Sequence, residues 1–123
     1  MPYPHLLAPR TVRGLTLRNR VLMPGMATGY AVDGGHVSQR LIDYHVARAR
    51  GGSGLNITEA TCVHTPSAPA NFLSISDDRF LPGLMELTTA IRDAGGASCV
   101  QLWQGGPVVG FLDPSLVTVF PSE

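Results

Sequence analysis

Residues 97–106 have the sequence ASCVQLWQGG, in which an apolar run is followed by a side-chain amide and then by a pair of glycines. The run at 97–100 predicts a buried β-strand, with Gln101 at its C-terminal end. Ligands of open and barrel-shaped α/β folds bind at this end of the strands. An amide there can hydrogen bond to a flat polar ring, but an isolated glutamine can equally satisfy backbone groups at a strand end.

The same pattern occurs at two earlier places in the chain. A first strand is predicted at about 20–23, before the sequence PGMAT at 24–28, and a second strand at 55–58 leads into TEAT at 58–61. One predicted helix separates each strand from the next. Because right-handed crossovers bring the same ends of parallel strands to one edge, we expect the three strand ends to face one site.

Two amphipathic helices are predicted between the strands. Ser38 is a suitable N-cap for the first helix, which ends at Gly51 and Gly52. The second is preceded by a polar capping cluster at 76–78 and continues to about Ala94. Apolar positions repeat at helical spacing in both, at Leu41, Ile42, His45, Val46 and Ala49 in the first and at Leu84, Leu87, Thr88 and Ile91 in the second.

The N-terminal segment at 6–17 predicts a β-hairpin that turns at Arg13 and Gly14. The hairpin is followed by the strands and helices above and by a loop at 105–123 that is rich in proline, glycine and apolar residues. The arginines at 10, 13, 18 and 20 are expected to be solvated charges at the end of the strands opposite the ligand.

A hairpin, three strands and two helices in this order predict an α/β fold with a parallel sheet. Three parallel strands and two helices are too few to cover both faces and pair both edges of such a sheet. We therefore expect the N-terminal part of a (β/α)8 barrel of ~250 residues or more, incomplete on its own. Residues 1–123 would form one segment of a single domain.

Composition excludes several classes of function. All nine basic residues are arginine, so this chain has no lysine for a Schiff base or a Walker-type phosphate site. The formal net charge of zero gives no indication of nucleic acid or of a membrane surface as a partner. Without signal-peptide features the expected location is the cytoplasm. Cys62 and Cys99 lack the spacing of a metal site and are expected to be reduced core thiols.

Three segments resemble the old yellow enzyme family of FMN-dependent oxidoreductases, which are TIM barrels. They are GLTLRNRV at 14–21 leading to Met26, the segment at 44–59 with its paired glycines, and QLW at 101–103 with GG at 105–106. The resemblance extends from about 6 to 120 and covers only the N-terminal portion of such an enzyme. The segments at 26–29 and 54–60 are similar to the branch that contains trimethylamine dehydrogenase, dienoyl-CoA reductases and N-methyl amine demethylases.

The resemblance implies that FMN lies over the C-terminal ends of the strands. Main-chain atoms of Gly25, Met26 and Ala27 would then approach flavin N5 and O4. The N–H of Ala60 would point toward O4, and the Gln101 amide would pair with the N3 and O2 edge, since it can both donate and accept.

Several further residues have more than one interpretation. Many relatives carry Thr or Cys at the position of Ala27, and Thr28 follows one position later. Glu59 is either a buried carboxylate bonded to neighbouring N–H groups or a site acid or base. Tyr30 and His64 are candidate substrate contacts. Tyr30 is equally consistent with an ordinary loop residue, and a lone histidine in a loop is more often an ordinary loop residue than a substrate contact.

The implied reaction is hydride exchange between flavin N5 and an organic substrate, either an activated alkene or an N-methylated amine, with NAD(P)H as reductant. The residues that anchor substrate and donate a proton come from later strands in this family, so catalytic residues cannot be assigned here. An iron–sulfur cluster would need residues beyond 123. The remaining barrel strands would come from another chain or a C-terminal part, and we expect an oligomer.

Two other functions are alternatives to this one. The chain could be a non-catalytic subunit of a split barrel that completes a partner, because exposed parallel edges favour association. A phosphate-binding barrel without flavin is disfavoured, because this portion has no glycine-rich phosphate loop.

Overall fold

A parallel sheet forms the centre of the fold in the computed structural model, which describes residues 2–119. The last four residues of the loop predicted at 105–123 lie outside this range. In chain order the elements are α1 (Pro4–Leu7), β1 (Arg10–Val12), β2 (Leu15–Leu17), β3 (Leu22–Met23), α2 (Gln39–Arg50), β4 (Leu55–Cys62), β5 (Leu73–Ser74), α3 (Leu81–Asp93), β6 (Ala97–Trp103) and α4 (Val108–Leu112), with 3-10 turns at Thr65–Ser67 and Asp78–Phe80. The order confirms the α/β prediction and adds α1, β5, α4 and the two short turns.

The sheet is built around β4, which pairs in parallel with β3 on one side and with β6 on the other. The short β5 also pairs in parallel with the C-terminal end of β4. Within residues 2–119 these four strands do not close into a barrel. The arrangement confirms a partial barrel with a parallel sheet, as predicted.

The N-terminal hairpin forms as predicted, with β1 and β2 paired antiparallel. Its turn has positive φ at both central residues, 46° at Arg13 and 88° at Gly14, as type I′ turns require. The prediction that Arg18 is only a solvated charge is wrong. Its guanidinium donates to the carbonyl of Ala49 and, at 2.8 Å, to that of Ser53, so it ties the end of the hairpin to the end of α2 instead of being only a solvated charge.

The first predicted helix is confirmed as α2. The Ser38 hydroxyl caps it by accepting a hydrogen bond from the Leu41 N–H at 3.2 Å. The predicted start of the second helix is wrong, because the capping cluster begins a 3-10 turn and α3 starts only after that turn. Asp77 caps the turn by accepting a hydrogen bond from the Arg79 N–H at 3.0 Å. Both helices bury the predicted faces against the sheet, and the main core comprises Ala31, Leu41, Ile42, Ala49, Leu73, Leu87 and Ile91.

The strand bounds differ from the predicted ones. The first strand is shorter than 20–23, whereas β4 continues past 58 to Cys62 and β6 continues past 100 to Trp103. The TEAT segment and Gln101 therefore lie inside strands, not at their ends. The strands are longer because β4 and β6 pair with each other, and β4 with β5, beyond the apolar runs. The apolar run in the sequence does not show where a neighbouring strand continues the pairing.

An irregularity in β4 accompanies this extension. Ile57 lies opposite Cys99 and Ala60 lies opposite Gln101, so two residues of β4 face a single residue of β6. This is the arrangement of a β-bulge. Its two residues, Thr58 and Glu59, are both buried, whereas consecutive residues of a regular strand point to opposite faces.

The two cysteines differ in their surroundings. Cys62 is buried, and burial raises the pKa of its thiol to about 11. Cys99 is exposed, so its assignment to the core is wrong, because the outer side of β6 has no strand partner within residues 2–119. None of the helices that the structure describes is long and apolar enough to cross a membrane.

Candidate functional site

The loop that follows β3 lies against both β4 and β6 at Gly25. A Cβ placed on Gly25 would lie 2.6 Å from the carbonyl oxygen of Thr58 and would overlap the Oε1 atom of Gln101. The need for glycine here is one of space, because the backbones and the amide approach so closely that no side chain fits. The loop after the first strand and the residues of the next two strands therefore meet at one point, as predicted.

Gln101 presents its side chain to the surface beside this glycine. Its backbone N–H donates to Thr58 Oγ1 at 3.4 Å, and the residue is exposed. Within residues 2–119 its side-chain amide forms no hydrogen bond to the protein. The amide thus does not serve to satisfy backbone groups of the strand, and its donor and acceptor are both available to a ligand.

The other predicted cofactor residues surround this pair. Ala60 is half-buried and lies in register with Gln101 on the neighbouring strand. Met26 and Ala27 follow Gly25 in the loop and are both exposed, Met26 by 53%. The result is an open surface of backbone, the small side chains of Ala27 and Ala60, the exposed Met26 side chain and one amide.

Glu59 is hydrogen bonded to the same loop from its buried side. Its Oε2 accepts hydrogen bonds from the Thr28 N–H at 2.7 Å and from the Thr28 hydroxyl. That hydroxyl also accepts from the N–H of Tyr30 at 3.1 Å. The Glu59 side chain is fully buried, and its Oε1 has no hydrogen-bond partner among the residues that the structure describes.

Tyr30 is packed against α2. Its ring meets that of Tyr44 edge to face at 6.0 Å between centroids, and the guanidinium of Arg40 lies 3.9 Å from its centroid. The Tyr30 hydroxyl accepts a hydrogen bond from Arg40 at 3.2 Å. These contacts account for its position, and its role in substrate binding stays a prediction.

His64 lies at the start of the loop after β4. Its Nδ1 is hydrogen bonded to the Ser67 hydroxyl, which also accepts from Gln104 Nε2 at 3.4 Å. The ring of Trp103 packs on that of Phe72 with 5.3 Å between centroids, which supports a packing role for the tryptophan. Ser67 and Gln104 join the loops after β4 and β6, and no sequence pattern predicts this contact between them.

A separate cavity of about 460 Å³ lies at the other end of the sheet. It is bordered by the hairpin, by the residues that precede β4 and β6, and by Arg18 and Arg92. Arg18 is already bonded to two carbonyl groups there. The cavity is distinct from the surface formed by Gly25, Ala60 and Gln101, which is at the end where α/β barrels bind ligands.

Comparison with known proteins gives matches over most of this chain. Residues 5–112 match the family described as NADH:flavin oxidoreductase / NADH oxidase. The NADH oxidase of Thermoanaerobacter brockii is 42% identical over 106 residues, which cover 85% of this chain and 16% of that protein. The N,N-dimethylglycine/sarcosine dehydrogenase of Chromohalobacter salexigens is 31% identical over an alignment of 126 positions, gaps included, which covers 94% of this chain and 18% of that protein.

A solved structure gives the same result for the fold. The Old Yellow Enzyme from Pichia sp. AKU4542 superposes with a TM-score of 0.77 and 26% sequence identity, and the match covers 83% of this chain and 27% of that one. The chain thus spans less than a fifth of the two curated relatives and about a quarter of the solved structure.

Proposed function

This chain belongs to the NADH:flavin oxidoreductase / NADH oxidase family, which is the old yellow enzyme family, and on that premise we propose that it forms the N-terminal segment of an FMN-binding TIM-barrel domain. The domain would act as an FMN-dependent oxidoreductase. The observation that carries the proposal is the meeting of Gly25, Ala60 and Gln101, on three neighbouring segments, at the C-terminal side of the sheet.

The residues at this surface fit a flavin. Gly25 has no room for a side chain, so the loop backbone lies directly against β4 and β6 beside the Gln101 amide, and Met26 and Ala27 after it are exposed. Ala60 is small, and it would offer its N–H to a carbonyl of that ring. Gln101 has an exposed amide that is not used by the protein, and it matches an edge that carries one donor and one acceptor. Flavin binding by Gly25, Met26, Ala27, Ala60 and Gln101 is therefore our proposal for the site.

Hydride exchange at N5 is the chemistry that FMN supplies when bound. The part of this chain is to bind and orient the ring. An N–H directed at a carbonyl oxygen of the ring stabilises negative charge on that side, and the Gln101 amide fixes which edge of the ring is presented. Proton donation and substrate anchoring would come from residues outside this segment, so no residue here is assigned as catalytic.

We propose an activated alkene or an N-methylated amine as the substrate and NAD(P)H as a reductant. Two relatives, an NADH oxidase and an N,N-dimethylglycine/sarcosine dehydrogenase, support by their names the reductant and the amine class respectively. Tyr30 and His64 are the proposed substrate contacts within this segment. The remaining barrel strands are its proposed partners, within an oligomer.

The test uses the protein that contains this segment together with the rest of its barrel. We expect a yellow preparation that releases FMN on denaturation and is bleached by NADH or NADPH without oxygen. Anaerobic assays with an enoate and with an N-methylated amine then decide between the substrate classes. A protein that lacks flavin absorbance and binds no added FMN contradicts the proposal, and its assembly with a separate barrel chain would instead support a split-barrel subunit.

A further inference from the structure

We propose that Glu59 is a positioning residue that holds the loop at 24–29 in the conformation that exposes its backbone to the flavin. The proposal rests on the proposed function, because it assigns a role to a residue behind the same site. Glu59 does not reach the exposed surface itself, since its side chain is only 1% exposed. It acts through Thr28.

The contacts between the two residues are made by both polar groups of Thr28. The backbone N–H of Thr28 donates to Glu59 Oε2 at 2.7 Å, and its hydroxyl donates to the same oxygen. The hydroxyl in turn accepts from the Tyr30 N–H at 3.1 Å. One carboxylate oxygen thus fixes the last part of the loop, directly after Gly25, Met26 and Ala27.

Glu59 lies in a β-bulge of β4. Two residues of β4, Thr58 and Glu59, face one residue of β6 between the pairs Ile57–Cys99 and Ala60–Gln101. Both bulged residues are buried. Ala60, the next residue, is in register with Gln101, so the carboxylate that binds the loop is adjacent in sequence to a residue of the proposed flavin surface.

The burial of Glu59 argues for a role beyond packing. A buried carboxylate is costly unless it is paired or fully hydrogen bonded. The one salt bridge within residues 2–119 joins Arg92 and Asp93, so no described cation is paired with Glu59, and its Oε1 has no partner there either. An apolar side chain at this place would avoid that cost but would leave the Thr28 N–H without its acceptor.

The same contacts also bear on Thr28. Its hydroxyl donates to Glu59 and accepts from the Tyr30 N–H, so both polar functions of the hydroxyl serve the loop.

The experiment compares Glu59→Ala, Glu59→Gln, Thr28→Val and the double variant Glu59→Ala/Thr28→Val in the complete flavin-loaded protein. Glu86→Ala, which removes an exposed carboxylate of α3, is the matched control. The readouts are the FMN dissociation constant, the flavin midpoint potential and visible spectrum, the melting temperature, and hydrogen exchange of the amides at 25–29 in the flavin-free protein.

We expect Glu59→Ala to weaken FMN binding about tenfold, roughly the effect of losing one hydrogen bond to a carboxylate, and to alter the visible spectrum. Amides at 25–29 should exchange faster in the same variant. Glu59→Gln should restore most of the affinity, because its amide oxygen accepts from the same two donors. In the Thr28→Val background the further effect of Glu59→Ala should be smaller than in the wild type, since the two residues act together.

Three outcomes overturn the proposal. Unchanged FMN affinity, spectrum and amide exchange in Glu59→Ala, with only a lower melting temperature, would leave Glu59 a purely structural residue. Equal losses in Glu59→Gln and Glu59→Ala would assign the effect to charge and not to positioning. If Glu59→Ala does not fold, Thr28→Val must still weaken FMN binding, and unchanged binding there contradicts the proposal.

Failure of the proposed function gives a different pattern. A wild-type protein that binds no FMN contradicts the proposed function whatever the variants do. Hydrogen exchange at 25–29 in the flavin-free protein still measures whether Glu59 orders the loop, because that readout does not depend on the cofactor.

Discussion

The side-chain oxygen of Gln101 occupies the space in which a side chain on Gly25 would begin. The two residues are 76 positions apart in numbering and are carried by different elements, a loop after β3 and the strand β6. Their contact joins the edge of the sheet to the loop above it. Any group larger than hydrogen at Gly25 must move both the Gln101 amide and the Thr58 carbonyl, or shift the loop away from them.

Gly25→Ala tests this contact. We expect the new methyl group to displace the Gln101 amide and to cost about 1–3 kcal/mol of stability, the usual range for an overpacked site. FMN affinity should fall at least tenfold, because both the loop and the amide shift. Isothermal titration of the flavin-free protein with FMN measures the affinity, and thermal unfolding measures the stability.

Gly51→Ala is the matched control for that variant. Gly51 ends α2 with an ordinary φ of −68°, and a Cβ there would lie 3.3 Å from the nearest atom, the Ala47 carbonyl oxygen. We expect no change in FMN affinity. Equal losses of affinity in the two variants would contradict a specific role of Gly25.

Gln101→Ala should weaken FMN binding by about 1–3 kcal/mol, which is five- to 150-fold, because a buried donor and acceptor on the flavin edge would lose their partner. The exposed side chain forms no hydrogen bond within residues 2–119, so the melting temperature of the flavin-free protein should hardly change. Gln39→Ala, an exposed glutamine of α2, is the control. Wild-type affinity in Gln101→Ala would remove this residue from the site.

Local patterns in the sequence predict much of this fold. The Arg13-Gly14 turn and the Ser38 cap depend on neighbouring residues only, and both form as expected. The β-bulge at Thr58 and Glu59 has no such signal, because it exists only through the register of β4 against β6. The sequence therefore leaves two roles open for Glu59, and the partner of its carboxylate, Thr28, is found only in the structure.

The candidate site also contains residues that the sequence predicts and residues that it does not. The proposed cofactor residues Gly25, Ala60 and Gln101 were chosen from strand-end patterns and from the family resemblance, and the structure brings them together. Ser67 and Gln104 were missed because their link between two loops depends on how the loops after β4 and β6 pack. Contacts between residues that are distant in sequence produce no periodic pattern from which they could be predicted.

Arg18 is expected to contribute to stability through the hairpin. Its guanidinium donates to the carbonyls of Ala49 and Ser53, which connects β2 to the end of α2. Arg18→Ala should lower the free energy of unfolding by about 1–3 kcal/mol, the range for hydrogen bonds made by a charged donor. Chemical denaturation measures it. Arg10→Ala, at an exposed position of β1, serves as the control, and an equal effect there would mean that charge alone matters.

His45 should make stability fall in mild acid. Its ring is buried in α2, and both ring nitrogens lack hydrogen-bond partners within the described part of the chain. Burial, with a smaller effect of Arg48, lowers the pKa of His45 from 6.5 to about 4. Between these two values the unfolded chain binds about one more proton than the folded chain, so the free energy of unfolding decreases as pH falls from 6.5 to 4.

Replacing the imidazole separates this effect from that of other groups. His45→Leu removes the proton that only the unfolded chain takes up, so the slope of stability against pH between 6.5 and 4 should become shallower by about one proton. Above pH 6.5 the slopes of the two proteins should coincide, because His45 is neutral in both states. Urea unfolding at a series of pH values measures the slope. His5→Gln, in the exposed α1, should leave it unchanged, and a wild-type slope in His45→Leu would show that the buried imidazole is not the group that titrates.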